Sequence, residues 1–137
     1  MNYLVDTSVW IDFIKGQDNQ PVKFLHNLLE HNKTVGLTAL IYQEILQGAE
    51  SELKFKQFKE YFNQLPCYYP KHSINSYADA AQIYCTCRRK GLTIRSTVDC
   101  LIAQIAIENE LILLHNDKDY AHIANVFPVL KCWQDTN

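Results

Sequence analysis

Leu111-Ile112-Leu113-Leu114 is an unbroken apolar run that ends at once in His115-Asn116-Asp117. A continuous run, rather than an alternating one, reads as a strand covered on both faces, the pattern of parallel sheets beneath helices. Tyr3-Leu4-Val5 repeats the arrangement near the N-terminus and stops just as abruptly at Asp6. Thr34-Val35-Gly36-Leu37, Cys67-Tyr68-Tyr69 before Pro70, and Phe127 to Leu130 are further short strand candidates. The segments between them carry helical spacing. Strands that alternate with helices predict an α/β domain with a central parallel sheet of four or five strands flanked by helices.

The helical segments have readable limits. Thr7 or Ser8 can cap a helix bearing Val9, Trp10, Phe13 and Ile14. Pro21 suits the first turn of the next helix, whose apolar face is Val22, Leu25, Leu28 and Leu29. Thr38 can cap a helix that runs to a stop at Gly48. Residues 51–65 form an amphipathic helix in which Phe55, Phe58 and Phe62 share one stripe, which reads as core, with apolar surface covered by a partner as its alternative. A long helix from about Ser73 ends in Arg88, Arg89 and Lys90 before Gly91. Residues 96–109 form a helix apolar nearly all round, and such a helix is usually buried.

Composition narrows the function. The chain has 137 residues, 47% of them hydrophobic, and reads as one domain spanning 1–137. A chain of this size buries roughly two thirds of its unfolded surface, so it needs no zinc or disulfide staple. Thirteen basic against fifteen acidic residues give a net charge of −2, which excludes a polybasic nucleic-acid binder. No apolar run reaches the roughly 18 residues of a membrane span. Asp6 and Asp12 interrupt the first apolar stretch, unlike a secretory leader. The five cysteines lack a CxxC pair and the five histidines lack HExxH spacing, so the thiols read as reduced in a cytoplasmic protein.

The acids carry the chemistry. Asp6 and Asp117 each follow a strand, and in a parallel sheet those carboxyl ends share the edge where ligands bind. Either alone is explained as an N-cap; both together fit a shared site. Glu44 falls on the apolar spacing of its helix with Leu37, Leu40, Ile41 and Gly48, and a carboxylate facing a core needs a cation, a proton or hydrogen bonds. Asp99 lies in the first turn of the buried helix, where Ser96-x-x-Asp99 also fits a capping box. If these four converge, they make an all-oxygen site suited to Mg²⁺ or Mn²⁺, and to metal-assisted phosphodiester hydrolysis. Thr7 or Ser8 can then bond a metal-bound water or a phosphate, and Asn116 can orient Asp117. Arg95 can contact a phosphate, neutralise the acids or form a surface ion pair. Asp119 reads as solvent-facing, with metal assistance as its alternative.

Asp6-Thr7-Ser8-Val9-Trp10-Ile11-Asp12-Phe13 resembles the opening motif of PIN-domain ribonucleases, in particular the VapC toxins of toxin–antitoxin pairs. Glu44 with Gly48 is similar to that family's Glu-x-x-x-Gly. Arg95 to Ala103 resembles its third motif, and Leu113 to Tyr120 with Ile123-Ala124 its fourth. The four motifs stand in the family's order along nearly the whole chain. The resemblance implies a PIN-like three-layer fold and a homodimer. It also implies an endoribonuclease dependent on Mg²⁺ or Mn²⁺, which inhibits translation by cutting structured RNA of the tRNA or rRNA class. A cognate antitoxin is the implied partner. On this reading Asp6, Glu44, Asp99 and Asp117 are catalytic and metal-holding, while Arg88, Arg89, Lys90 and Arg95 grip the RNA; the alternative for the first three is a plain basic helix C-terminus.

Two other readings stay within the fold: a PIN nuclease of RNA processing without a toxin role, and a catalytically silent PIN fold that only binds a partner. Silence would be accompanied by lost acids, and all four are present.

Overall fold

A computed structural model of the chain describes residues 2–134. In chain order the elements are β1 (Tyr3–Val5), α1 (Thr7–Ile14), α2 (Gln20–Glu30), β2 (Val35–Thr38), α3 (Ala39–Gln47), α4 (Glu52–Phe62), β3 (Cys67–Tyr68), α5 (Asn75–Arg89), α6 (Thr97–Glu108), β4 (Ile112–Leu114), α7 (Lys118–Val126) and β5 (Lys131–Cys132). The five strands form one sheet in the order β3-β2-β1-β4-β5, and every pairing is parallel.

The two apolar runs that end in aspartate are the two central strands. Tyr3 pairs with Ile112, Leu4 with Leu113 and Val5 with Leu114. Leu4, Val5, Leu113 and Leu114 are wholly buried, which explains their lack of polar alternation. β2 and β3 lie to one side of β1, and β4 and β5 to the other. The chain therefore reverses its direction of travel across the sheet between β1 and β4. In open α/β sheets that switch point opens a crevice outside the strands' carboxyl ends.

Packing holds this frame. α6 is buried along most of its length, with Cys100, Ile102, Ala103, Ile105 and Ala106 inside. Trp10 of α1 is fully buried and meets Phe62 edge-on at 4.9 Å between ring centroids. Gly36 in β2 has no room for a side chain: a Cβ there would collide with the Tyr68 ring and stand 2.7 Å from the Pro66 carbonyl oxygen. All five cysteines are free, with Cys87 and Cys100 buried. Among the described residues, no helix is long and apolar enough to cross a membrane.

Three expectations need correction. The last strand is Lys131–Cys132, not 127–130, which instead turn through a Leu130 N–H donation to the Phe127 carbonyl. The helix expected over 51–65 spans Glu52–Phe62, and its stripe is not wholly core: Phe62 is buried and Phe58 half-buried, but Phe55 is exposed. α1 is capped by Asp6 itself, whose carboxylate accepts from the Ser8 N–H at 3.1 Å, not by Thr7 or Ser8.

Candidate active site

Asp6 and Asp117 stand at the carboxyl ends of the two central strands and cap the helices that follow them. The Asp6 N–H donates to the Leu114 carbonyl at 2.9 Å, so the two strand ends are stitched together where the acids emerge. Capping and site formation are thus one arrangement. β1 passes straight through Asp6 into α1, β4 reaches α7 through His115, Asn116 and the cap Asp117, and each carboxylate sits at a helix N-terminus, where the dipole favours negative charge.

Asp99 arrives from a third direction, in the first turn of α6. The Ser96 hydroxyl accepts from the Val98 N–H at 3.2 Å, while the Asp99 carboxylate lies 3.2 Å from the Tyr120 hydroxyl. The capping-box explanation of Asp99 therefore fails: its side chain serves the crevice. Burial raises its carboxyl from 3.8 to about 7, assisted by the charge of Asp6 and opposed by the Tyr120 hydrogen bond.

Asp119 is the main correction. It was expected in solvent, yet it is 1% exposed. Its Oδ2 accepts from the Arg95 backbone N–H at 3.1 Å and from Arg95 Nε at 3.2 Å. Arg95 Nη2 donates to Asp117 Oδ1 at 3.0 Å, so one guanidinium ties both acids. Asp99, Asp117 and Asp119 each offer a carboxylate oxygen, and these oxygens lie within 4.8 Å of one another. Three hard oxygen donors this close, with no thiol among them, fit a divalent cation such as Mg²⁺ or Mn²⁺ better than zinc.

Glu44 does not face the core. It is exposed on α3, where the buried stripe is Ile41 and Ile45, and its Oε1 accepts from the Thr7 hydroxyl at 3.0 Å. Leu37, counted as part of its helical spacing, belongs to β2, so the period was carried across a strand–helix boundary. Glu44 thus reaches the crevice rim through Thr7.

Ser8 Oγ donates to Asp6 Oδ2 at 2.7 Å and accepts from the Asn116 N–H at 3.2 Å. It is a brace between the two strand ends. Asn116 turns its side chain to Asp12 at 3.4 Å, not to Asp117. Arg88, Arg89 and Lys90 lie exposed at the end of α5, and their contacts are local: Arg88 stands over the Tyr84 ring at 5.5 Å, and Arg89 reaches Thr86 at 3.4 Å.

Sequence reasoning missed Tyr120. It is fully buried, and its hydroxyl lies 2.9 Å from Asp6 Oδ1 as well as 3.2 Å from Asp99 Oδ1. His115 was also passed over. Its Nδ1 accepts from the Asp117 N–H at 3.2 Å, its ring rests 5.2 Å from that of Tyr120, and burial lowers its pKa.

A parallel sheet with an acid-lined switch point of this kind is that of the PIN domain, which residues 3–126 match. Ribonuclease VapC11 of Mycobacterium tuberculosis and VapC ribonuclease Mb1587 of Mycobacterium bovis are each 33% identical over 124 residues, covering 90% of this chain and 92% of the relative. The fold is shared with VapBC2 of Rickettsia felis bound to a promoter DNA fragment, at a TM-score of 0.72 and 20% identity over 98% of this chain and 100% of that one. It is shared too with VapBC-1 of nontypeable Haemophilus influenzae, at 0.72 and 22% identity over 97% of each chain. The chain belongs to the PIN-domain family, among the VapC ribonucleases.

Proposed function

We propose that this chain is a divalent-metal-dependent endoribonuclease and the toxin of a toxin–antitoxin pair, acting on translation by cutting structured RNA. The observation that carries this reading is the convergence of Asp99, Asp117 and Asp119 oxygens within 4.8 Å at the switch point, with Asp6 joined to Asp99 through Tyr120. Asp99, Asp117 and Asp119 would hold Mg²⁺ or Mn²⁺, with Asp6 behind them and Glu44 at the rim. The bound ion supplies Lewis acidity and a water acidic enough to attack a phosphodiester near neutral pH.

The chain's own residues prepare the rest. Asp6 and Asp117 are oriented by helix N-termini, and Ser8 keeps the two strand ends in register. Arg95 turns Nε and one Nη2 hydrogen toward acids, which leaves three of its five N–H donors for an RNA phosphate, and its side chain is 64% exposed. Arg88, Arg89 and Lys90 add positive charge for RNA farther along α5. The relatives' naming as ribonucleases and the neighbours' description as VapBC complexes support both the activity and the antitoxin partner. Homodimerisation and a cytoplasmic location complete the reading.

The test is cleavage of tRNA and rRNA with analysis of the ends. Attack by an activated water leaves 5′-phosphate and 3′-hydroxyl, and EDTA abolishes it. Products ending in 2′,3′-cyclic phosphate, or full activity in EDTA, would overturn the mechanism.

A further inference from the structure

One neutral group in the acid cluster touches two of its acids, Asp6 and Asp99. Tyr120 sits in the first turn of α7, three residues beyond Asp117, and is fully buried. Its hydroxyl stands 2.9 Å from Asp6 Oδ1 and 3.2 Å from Asp99 Oδ1. Those acids come from the end of β1 and the start of α6, so the hydroxyl joins three separately folded segments at one point. Asp6 Oδ2 is already engaged by the Ser8 N–H at 3.1 Å and by Ser8 Oγ at 2.7 Å. The Tyr120 contact is what orients the other oxygen. On Asp99 it engages Oδ1, while Oδ2 accepts no hydrogen bond among the described residues.

The ring is itself held. It lies 5.2 Å from the His115 ring, and His115 Nδ1 accepts the Asp117 N–H at 3.2 Å. One wedge of packed rings therefore reaches the backbone of Asp117 on one side and the carboxylates of Asp6 and Asp99 on the other. We propose that Tyr120 is the positioning residue of this site: its hydroxyl sets Asp6 and Asp99 a fixed distance apart and turns Asp99 Oδ2 toward the cation. This rests on the metal-site reading of the cluster. Groups that orient metal-holding side chains from behind typically contribute about 10- to 100-fold in metal affinity or activity.

Tyr120→Phe removes one oxygen and keeps the ring, so core packing is preserved. The probe is Mn²⁺ alone, measured by electron paramagnetic resonance on the full chain, beside RNA cleavage at rising Mn²⁺. The expected result is Mn²⁺ binding weakened about 10-fold or more. The KM for RNA stays near that of the parent, kcat falls at low Mn²⁺ and recovers at high Mn²⁺. A purely structural role would lower activity without that recovery. Parent-like Mn²⁺ affinity in a folded Tyr120→Phe overturns the proposal while the metal reading stands. No Mn²⁺ binding by the parent overturns the metal reading itself. If the variant does not fold, the parent decides: saturating Mn²⁺ should shift the ultraviolet absorption of a buried tyrosine, and an unchanged spectrum overturns the proposal.

Discussion

The acidic site has an inner pair and an outer pair, and they solve the same charge problem by different means. Asp117 and Asp119 share a cation: Arg95 grips one oxygen of each, at 3.0 and 3.2 Å. Asp6 and Asp99 share only a phenol, whose single proton cannot satisfy two anions. The consequence falls on Asp99. The carboxyl with burial, a charged neighbour and no cation, Asp99, is pushed up to about 7. Arg95, facing two carboxylates, is held above its usual range, chiefly by Asp119. The outer pair is half compensated by one guanidinium charge, and the inner pair has no cation partner among the described residues. A divalent ion placed among them answers the inner deficit most.

The strongest way to break this comparison is Asp99→Asn. The swap keeps the shape but removes an anionic donor, so RNA cleavage should fall by orders of magnitude. Stability should move the other way. Because folding raises the Asp99 carboxyl from 3.8 to about 7, the folded state binds its proton more tightly than the unfolded state. The stability tied to that proton is present at low pH and is lost as pH rises toward 7. Without metal, the parent should therefore melt at falling temperature relative to Asp99→Asn between about pH 4 and pH 7. Added Mg²⁺ should cancel the difference in the parent alone. A flat difference across that range, or cleavage at the parent rate, would remove Asp99 from the site.

Arg95→Gln tests the outer pair and should act more mildly. Asp119 keeps the backbone N–H of residue 95 but loses the side-chain donor to a carboxylate that is 2% exposed in the parent. An under-neutralised buried carboxylate destabilises the fold, so the variant should melt lower without metal and recover with Mg²⁺. Cleavage should fall about 10-fold, on the scale of other orienting contacts. A lower melting temperature that Mg²⁺ does not restore would mean that Arg95 serves the fold and not the cation.

The contrast also explains what could be read from sequence. The central strands were legible because burial on both faces forbids polar alternation, and the acids ending them were legible because they interrupt apolar runs. β5 was not, since Phe127–Leu130 is more apolar than the edge strand Lys131–Cys132 that pairs with β4. Asp119 reads as solvent-facing because the group that satisfies its carboxylate, Arg95, is 24 positions away. Tyr120 reads as one more core aromatic, and only the three-dimensional arrangement brings its hydroxyl to Asp6, 114 positions away, and Asp99, 21 away. Local pattern reports which face is buried. It does not report which distant polar group waits there.

Thr7→Val should have the smallest effect, and it asks whether Glu44 forms a third layer of the same device. The Thr7 hydroxyl donates to Glu44 Oε1 at 3.0 Å in an exposed position, and valine keeps the branched shape without the donor. Water can replace a lost hydrogen bond there, so the stability cost should be about 0.5 kcal/mol or less. If Glu44 needs Thr7 only for orientation, the same energy corresponds to about a 2-fold loss of cleavage. Mn²⁺ affinity should hardly change, because the three clustered oxygens belong to Asp99, Asp117 and Asp119. Cleavage rate and Mn²⁺ binding of Thr7→Val, measured beside those of Arg95→Gln, decide the point. A loss as large as that of Asp99→Asn would place Glu44 in the inner group, and the division into a phenol-bridged pair and an arginine-clamped pair would have to be redrawn with the rim carboxylate inside it.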